Sequence, residues 1–279
     1  MLFRSDDTVT VEFASSIDAD FAFNVTGSAV NDTFVKATGG VNNNINIQAG
    51  TGNDTLTIDG GDMGANIVFN GEDGTDTINQ TGGIMQDDDF VGVSNVERMA
   101  GSVNATLGAE ADRAGITTID MSANNADNVL VDAAFNNALT VNGFGIGNDT
   151  MNAAASSSVL TVNANAATVT AADTLSGGTT AFDTLNLTAD NDTADLSGMS
   201  GVEAVMIVEA GDANVGVTLD DNSFTAVSSN RIVINAAALN DTGAELPEGA
   251  LTVNAGTLTG TRALDVTGGT GNDNITTGT

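Results

Sequence analysis

The sequence predicts an all-β fold, a parallel β-helix or β-roll solenoid with coils of about 22 residues. Acidic turn motifs recur at a fixed step, apolar residues two apart recur at the same step, and glycine-rich segments separate them. Apolar positions two apart are typical of strands, because successive side chains of a strand point to opposite faces. Repetition at one period indicates that each unit buries its apolar face against its neighbours.

The 22-residue step is clearest between residues 21 and 80. Turn motifs of the Asn-Asp-Thr type place acidic residues at Asp32, Asp54 and Asp76. Stacking in register predicts two internal ladders, Phe34 with Leu56 and Ile78, and Phe23 with Ile45 and Ile67. Lys36 is a misfit, because strict register would place it over Ile58 and point it inward. We expect the strand to end or bend before Lys36.

A longer duplication extends the repeat over most of the chain. The related pairs of segments are Val93–Glu97 with Met199–Glu203, Asp76–Asn79 with Asp183–Asn186, and Ala138–Asp149 with Ala263–Asp273. At about 22 residues a coil, residues 6–279 would form one solenoid segment of about twelve coils, which we expect to belong to a longer repeat array. Residues 1–5 are either a non-native N-terminal sequence or an ordinary N-terminus. Residues 101–115 are compatible with a short helix, and residues 235–250 with an inserted loop.

Composition excludes several classes of function. The formal net charge of −31 opposes binding to nucleic acid or to anionic membrane surfaces. No apolar run is long enough to predict a membrane span, and we expect any export signal to lie outside this chain. Hydrophobic residues make up 41% of the chain, which is enough to bury a core.

The absent residue types argue against catalysis. Without His or Cys there is no imidazole or thiolate nucleophile pair and no zinc site built from those ligands. The few basic residues are scattered along the chain, and aromatic sugar platforms of Trp or Tyr are missing. Oxygen ligands remain, and these suit calcium. We therefore predict that the chain is not an enzyme.

Gly268–Thr276 reads as the nonapeptide that binds calcium in parallel β-rolls, and Ala49–Thr57 matches it except for the first Gly. They resemble the repeats-in-toxin (RTX) proteins, a family in which glycines shape the turn and an Asp supplies a carboxylate. The resemblance implies calcium ligation at these turns. The residues matched to the motif, including weaker copies, are Asp32, Gly50, Gly52, Asp54, Gly71, Gly74, Asp76, Gly147, Asp149, Asp183, Gly268, Gly269, Gly271 and Asp273.

With one such turn per coil, we predict calcium along one edge only, shared between adjacent coils. Asp32, Asp54 and Asp76 would frame two ions, and the isolated Asp149 and Asp273 would be half-sites. Stacked carboxylates repel, and a divalent cation would reverse the sign of that interaction. The alternative is that Asn-Asp and Gly turns are simply favourable turn formers with a solvated acidic face.

The Thr-, Asn- and Ala-rich strands are also similar to bacterial surface-layer (S-layer) proteins and large repeat adhesins. This resemblance implies a secreted or cell-surface bacterial protein with a structural or adhesive role. Its expected partners are calcium, further copies in a lattice or array, or a cell-surface polysaccharide. Two alternatives stay open. One is a calcium-assisted polysaccharide-active enzyme on a β-helix, and the other is the RTX export and folding tail of a toxin or hydrolase.

Overall fold

The computed structural model describes residues 8, 10–13, 22–39, 44–121, 126–145, 147–188, 191–208, 214–227, 230–239 and 249–278. The chain is all-β, with parallel strands stacked as a β-solenoid of about 11 turns and roughly 22 residues per turn. The predicted fold class is therefore confirmed. Residues 1–5, which were expected to be either non-native or an ordinary N-terminus, lie outside the described residues. Most of the loop expected at 235–250 lies outside them too.

The chain divides into two compact units. The first comprises Met1–Ser122 and Asp127–Asn137, and the second comprises Ala123–Ala126 and Ala138–Thr279. No helix in the described part of the chain is long and apolar enough to cross a membrane.

The first unit contains strands β1 to β12. Their bounds are β1 Thr10–Phe13, β2 Ala22–Ser28, β3 Thr33–Lys36, β4 Asn44–Gly50, β5 Thr55–Ile58, β6 Ile67–Asn70, β7 Thr77–Gln80, β8 Val93–Ser94, β9 Arg98–Gly101, β10 Asn104–Leu107, β11 Thr118–Met121 and β12 Asn128–Val131. One sheet has the order β1-β3-β5-β7-β9-β11, a second β2-β4-β6-β8, and β10 pairs with β12. Each successive coil therefore adds a parallel strand beside the strand of the coil before it.

The second unit contains strands β13 to β25. Their bounds are β13 Leu139–Phe144, β14 Thr150–Asn152, β15 Leu160–Asn165, β16 Thr174–Ser176, β17 Thr184–Thr188, β18 Thr193–Asp195, β19 Met199–Ser200, β20 Ala204–Ile207, β21 Val215–Thr218, β22 Arg231–Asn235, β23 Leu251–Ala255, β24 Ala263–Thr267 and β25 Asn274–Thr277. The sheet orders are β13-β15-β17-β20-β22-β24, β14-β16-β19 and β18-β21-β23-β25.

The helical elements are short. The α-helix α1 spans Ala109–Ala114, which confirms the expected helix within residues 101–115. In the described part of the chain, 3-10 turns span Gly60–Asp62, Asp87–Gly92 and Asn222–Phe224. The carboxylate of Asp87 accepts the N–H of Gly108, which precedes α1, and those of Glu110 and Ala111 in its first turn.

The predicted ladders occupy the interior of the first unit. Phe34 pairs with Leu56, and Leu56 with Ile78, and all three are buried. The second ladder has the predicted register too, because Phe23 pairs with Ile45 and Ile45 with Ile67. Each inward apolar side chain is covered by those of the neighbouring coils, so the core depends on stacking.

Lys36 departs from the prediction. Strand β3 continues through Lys36, which pairs with Phe13 of β1. The expectation that the strand ends before Lys36 was therefore wrong for the pairing with β1. Pairing with the next coil stops at Val35. The Lys36 side chain is almost fully buried, and its ammonium lies 3.1 Å from Asp62 and donates to the carbonyls of Ala37 and Gly39. A buried cation is tolerated here because it is paired and hydrogen-bonded.

Candidate functional site

The acidic residues of the turn motifs form a column inside the first unit. Asp32, Asp54 and Asp76 each immediately precede one of the in-register strands β3, β5 and β7. Consecutive members therefore lie one strand spacing apart, about 4.8 Å. All three are at most 1% exposed. The predicted stacking is confirmed, whereas a role as calcium ligands stays a prediction.

Hydrogen bonds to the backbone link the column from coil to coil. The N–H of Asp32 donates to Oδ1 of Asp54 at 2.6 Å, and the N–H of Asp54 donates to Oδ1 of Asp76 at 2.7 Å. The N–H of Asp76 donates to Oε2 of Glu97 at 2.9 Å. Hydrogen bonds to a charged acceptor are stronger than neutral ones. Each carboxylate therefore fastens its own coil to the preceding one.

The second unit repeats this arrangement with residues that the motif did not indicate. The N–H of Asp149 donates to Oδ1 of Asp173 at 2.9 Å, and the N–H of Asp183 donates to Oε2 of Glu203 at 2.8 Å. Asp149 therefore has an acidic neighbour in the column, whereas its role as a calcium half-site stays a prediction. Asp173 follows no glycine-rich turn, so the motif search missed it.

Glu97 and Glu203 were also missed as members of the column, although a signal for them existed. Both end the duplicated segments Val93–Glu97 and Met199–Glu203. In each copy the longer Glu side chain replaces Asp as the acceptor of an Asp N–H from the preceding coil. The two duplicated segments therefore share a structural role, because each supplies a Glu acceptor to the column.

Asp183 and Asp273 accept from the same register position as the other members of the column, but Leu occupies that position in place of Asp. Oδ1 of Asp183 accepts the N–H of Leu160 at 2.8 Å, and Oδ1 of Asp273 accepts the N–H of Leu251 at 2.8 Å. Asp183 is fully buried, whereas Asp273 is exposed. The column is therefore a general fastening between coils with local variations.

The residues of the column fall into two classes, which differ in whether the second carboxylate oxygen has a hydrogen-bond partner. In Asp32, Asp149 and Asp183 it accepts a backbone N–H of the same turn, at 2.5, 2.8 and 2.7 Å respectively. In Asp54 and Asp76 the Oδ2 atom is buried without a hydrogen-bond partner, as is Oε1 of Glu203. Buried charged oxygens without partners are costly, so these groups would gain from a proton or a cation.

Burial changes the acidity of these groups. It raises the pKa of Asp54 to about 7, and the charges of Asp76, Asp32 and Glu72 raise it further against the lowering effect of the Asp32 N–H. Burial likewise raises the pKa of Asp183 to about 6 and increases the pKa of Asp76. Shifted pKa values are common at catalytic sites, but structural groups show them too. Here the cause is mainly desolvation inside the stack.

These shifts predict that the chain is more stable in mild acid. A carboxyl whose pKa is raised on folding binds a proton in the folded state while the unfolded state, with a pKa of about 4, has already released it. Without divalent cations, the free energy of unfolding should therefore rise as the pH falls from about 8 to about 5. Urea midpoints at the two pH values measure this. The Asp54→Asn variant should show a smaller rise, and an equal rise would contradict the assignment to Asp54.

The motif glycines act in two ways. Gly50, Gly52, Gly74 and Gly147 have positive φ angles, whereas Gly71, Gly268, Gly269 and Gly271 do not. At Gly71 the reason is space, because a Cβ would lie 2.0 Å from the Asn95 carbonyl oxygen and 2.3 Å from Oδ2 of Asp76. The backbone and the carboxylate pack directly against each other there.

Carbonyl groups of the turns bind neighbouring coils. The N–H of Gly52 donates to the Asp73 carbonyl at 2.9 Å, and the N–H of Asp73 donates to the Gly50 carbonyl at 3.2 Å. The N–H of Thr51 donates to the Ser28 carbonyl at 3.2 Å. A carbonyl has two lone pairs, so each of these retains one for a further donor or a cation.

The negative charge of this site suits calcium, but its side chains supply only some of the oxygen ligands that calcium needs. Among the described residues, no three acidic side chains converge on one point. The column instead offers the two unpartnered oxygens of Asp54 and Asp76, against the six to eight oxygens that calcium takes. Turn carbonyls and the exposed Glu72 carboxylate, whose charge acts on Asp54, would have to supply further ligands.

Comparisons with family models, with curated proteins and with solved structures found no match for the chain. The column therefore has to be interpreted from its own contacts.

Proposed function

We propose that this chain is a structural and adhesive repeat segment of a secreted or cell-surface protein, and that calcium stabilises it at the step between Asp54 and Asp76. The observation that carries the proposal is the column of buried carboxylates, each of which binds a backbone N–H of the preceding coil. Most of the acidic side chains with perturbed acidity are thus engaged in holding coils together.

Burial supports a structural role for the column over a catalytic one. A general acid or base must come within hydrogen-bond reach of its substrate. Asp54, Asp76 and Asp183 are at most 1% exposed, and strands and turns surround them. Their raised pKa values describe the cost of burying charge in the stack. A polymer passing over the surface would not touch them.

Calcium would relieve that cost where partners are missing. The unpartnered Oδ2 atoms of Asp54 and Asp76 lie on adjacent coils, and the charge of Asp76 raises the pKa of Asp54 while that of Glu97 raises the pKa of Asp76. A divalent ion between them would replace repulsion by attraction. Since the site forms only when the coils stack, binding would stabilise the folded state.

The test is urea unfolding followed by circular dichroism at pH 8, with chelator, with calcium and with magnesium. At a calcium concentration of about 100 times Kd we expect about 2.7 kcal/mol of added stability. The Asp54→Asn/Asp76→Asn double variant keeps the Oδ1 acceptors but should lose most of this calcium response.

A matched control is the Asp88→Asn/Asp132→Asn double variant, which removes the same formal charge from two exposed side chains of the first unit. It should respond to calcium like the natural sequence. No calcium effect on the natural sequence, or equal effects on both double variants, would show that calcium does not bind at this step.

A further inference from the structure

One outward face of the second unit is uncharged. Strands β13, β15 and β17 lie side by side in register. Their outward side chains form one row of Thr and one row of Asn, namely Thr140, Thr161, Thr184, Asn142, Asn163 and Asn186. The outward positions of β3, β5 and β7 in the first unit are uncharged as well, so the depression described below is what sets the face of the second unit apart.

Hydrogen bonds fix the Asn row in one orientation. Nδ2 of Asn163 donates to Oδ1 of Asn142 at 2.7 Å, and Nδ2 of Asn186 donates to Oδ1 of Asn163 at 2.8 Å. A side-chain amide has two N–H donors and two acceptor lone pairs. The Asn163 amide therefore retains one donor and one acceptor after the ladder is made. The row presents preorganised polar groups at a spacing of about 4.8 Å.

A depression of about 330 Å³ adjoins this row. Its apolar lining includes Phe144, Ala164 and Val208, and its polar lining includes Asn163, Asn165 and Asn186. Val208 is 48% exposed, so apolar surface is accessible at the rim. The depression therefore combines the exposed apolar side chain of Val208 with amide groups, and the strand face beside it adds hydroxyl groups.

We propose that this face binds an uncharged polysaccharide, which names the partner of the adhesive role proposed above and rests on it. Sugar rings carry apolar C–H faces and hydroxyl groups that both donate and accept hydrogen bonds, which match the depression and the Asn row. An anionic polymer would be repelled by the acidic chain, whereas a neutral one is not.

The size of the face favours a polysaccharide over a second copy of the chain. Three strands of about five residues cover an area of about 15 Å by 17 Å, or about 250 Å². A stable protein interface needs about 800 Å² on each partner. Two copies with the same strong negative charge would also repel each other. A single neutral glycan chain can bind over a smaller area than a protein partner, and the acidic chain does not repel it.

The full chain is tested by affinity electrophoresis in gels that contain dextran, mannan or amylose, with dextran sulfate as the anionic control, all at saturating calcium. We expect retardation by at least one neutral polymer and not by dextran sulfate. The Val208→Glu variant should weaken that binding about tenfold or more, because a carboxylate at the rim would lose hydration on contact with the sugar.

The matched control is Val68→Glu, which places the same charge on an exposed valine of β6 in the first unit and should leave binding unchanged. A second pair compares Asn186→Asp with Asn46→Asp, which belongs to the amide ladder of the first unit. Only Asn186→Asp should weaken binding. Thermal unfolding confirms that each variant is folded.

The proposal is overturned if no neutral polymer retards the chain, if dextran sulfate retards it more, or if Val208→Glu and Val68→Glu bind equally. Light scattering that shows self-association blocked by Val208→Glu, without glycan binding, would assign the face to a second copy instead and also overturn it. A normal calcium response together with absent glycan binding would refute this partner and leave the structural role intact.

Discussion

Replacing Asp183 with alanine is expected to lower the free energy of unfolding of the second unit by about 2 to 6 kcal/mol, because two buried N–H donors lose their acceptor and each costs about 1 to 3 kcal/mol. These donors are the N–H groups of Leu160 and Gly178, bound at 2.8 and 2.7 Å. Loss of the charge beside Glu203 offsets part of the cost. Urea unfolding at pH 8 measures the difference.

Asp132→Ala is the matched control, since the Asp132 side chain is exposed and Oδ1 accepts only the nearby N–H of Ala134 at 3.3 Å among the contacts described for it. Its effect should be within about 0.5 kcal/mol. Similar effects of Asp183→Ala and Asp132→Ala would mean that the column does not fasten the coils.

Phe34→Ala is expected to destabilise the first unit by about 3 to 5 kcal/mol, because it removes a buried ring and leaves a cavity. Phe34 is fully buried, and its ring packs edge to face on Phe69 with centroids 6.2 Å apart. In a stack, the loss also weakens the contacts of the coils on either side. The urea midpoint and slope measure the change.

The exposed Phe182 provides the comparison for the aromatic core, since it has the same side chain at 58% exposure. Phe182→Ala should change the free energy of unfolding by less than about 1 kcal/mol. If Phe34→Ala cost no more than Phe182→Ala, the assignment of Phe34 to an internal ladder would be wrong.

The periodic part of the structure could be predicted from the sequence. A side chain that recurs every 22 residues and alternates with polar neighbours can lie in only one register, which is why the ladder of Phe34, Leu56 and Ile78 was predicted. The same period placed Asp32, Asp54 and Asp76 in one column.

The contacts of the column could not be predicted in the same way. Sequence spacing shows that carboxylates stack, but it does not show whether their oxygens face solvent, a cation or backbone N–H groups. Asp173 and Glu203 were missed because their distances from Asp149 and Asp183, 24 and 20 residues, differ from the 22-residue step. Coils of unequal length preserve the contact while losing the period.

Lys36 shows a related limit. Register alone placed a charged side chain over a buried position and therefore predicted a break in the strand. The structure instead pairs the ammonium with Asp62, which lies 26 residues away in the next coil and carries no repeat signal. An ion pair with one residue of another coil depends on the tertiary structure, so the repeat period could not predict it.

Residue-resolved hydrogen exchange of the Asp54 backbone amide, in the natural sequence and in Asp76→Ala, tests most directly whether buried carboxylates fasten the coils. We predict that this amide exchanges slowly in the natural sequence and about tenfold or more faster in the variant, because its acceptor is removed. The Asp149 amide, which donates to Asp173 in the other unit, should be unaffected. Unchanged protection of the Asp54 amide in Asp76→Ala would contradict the account.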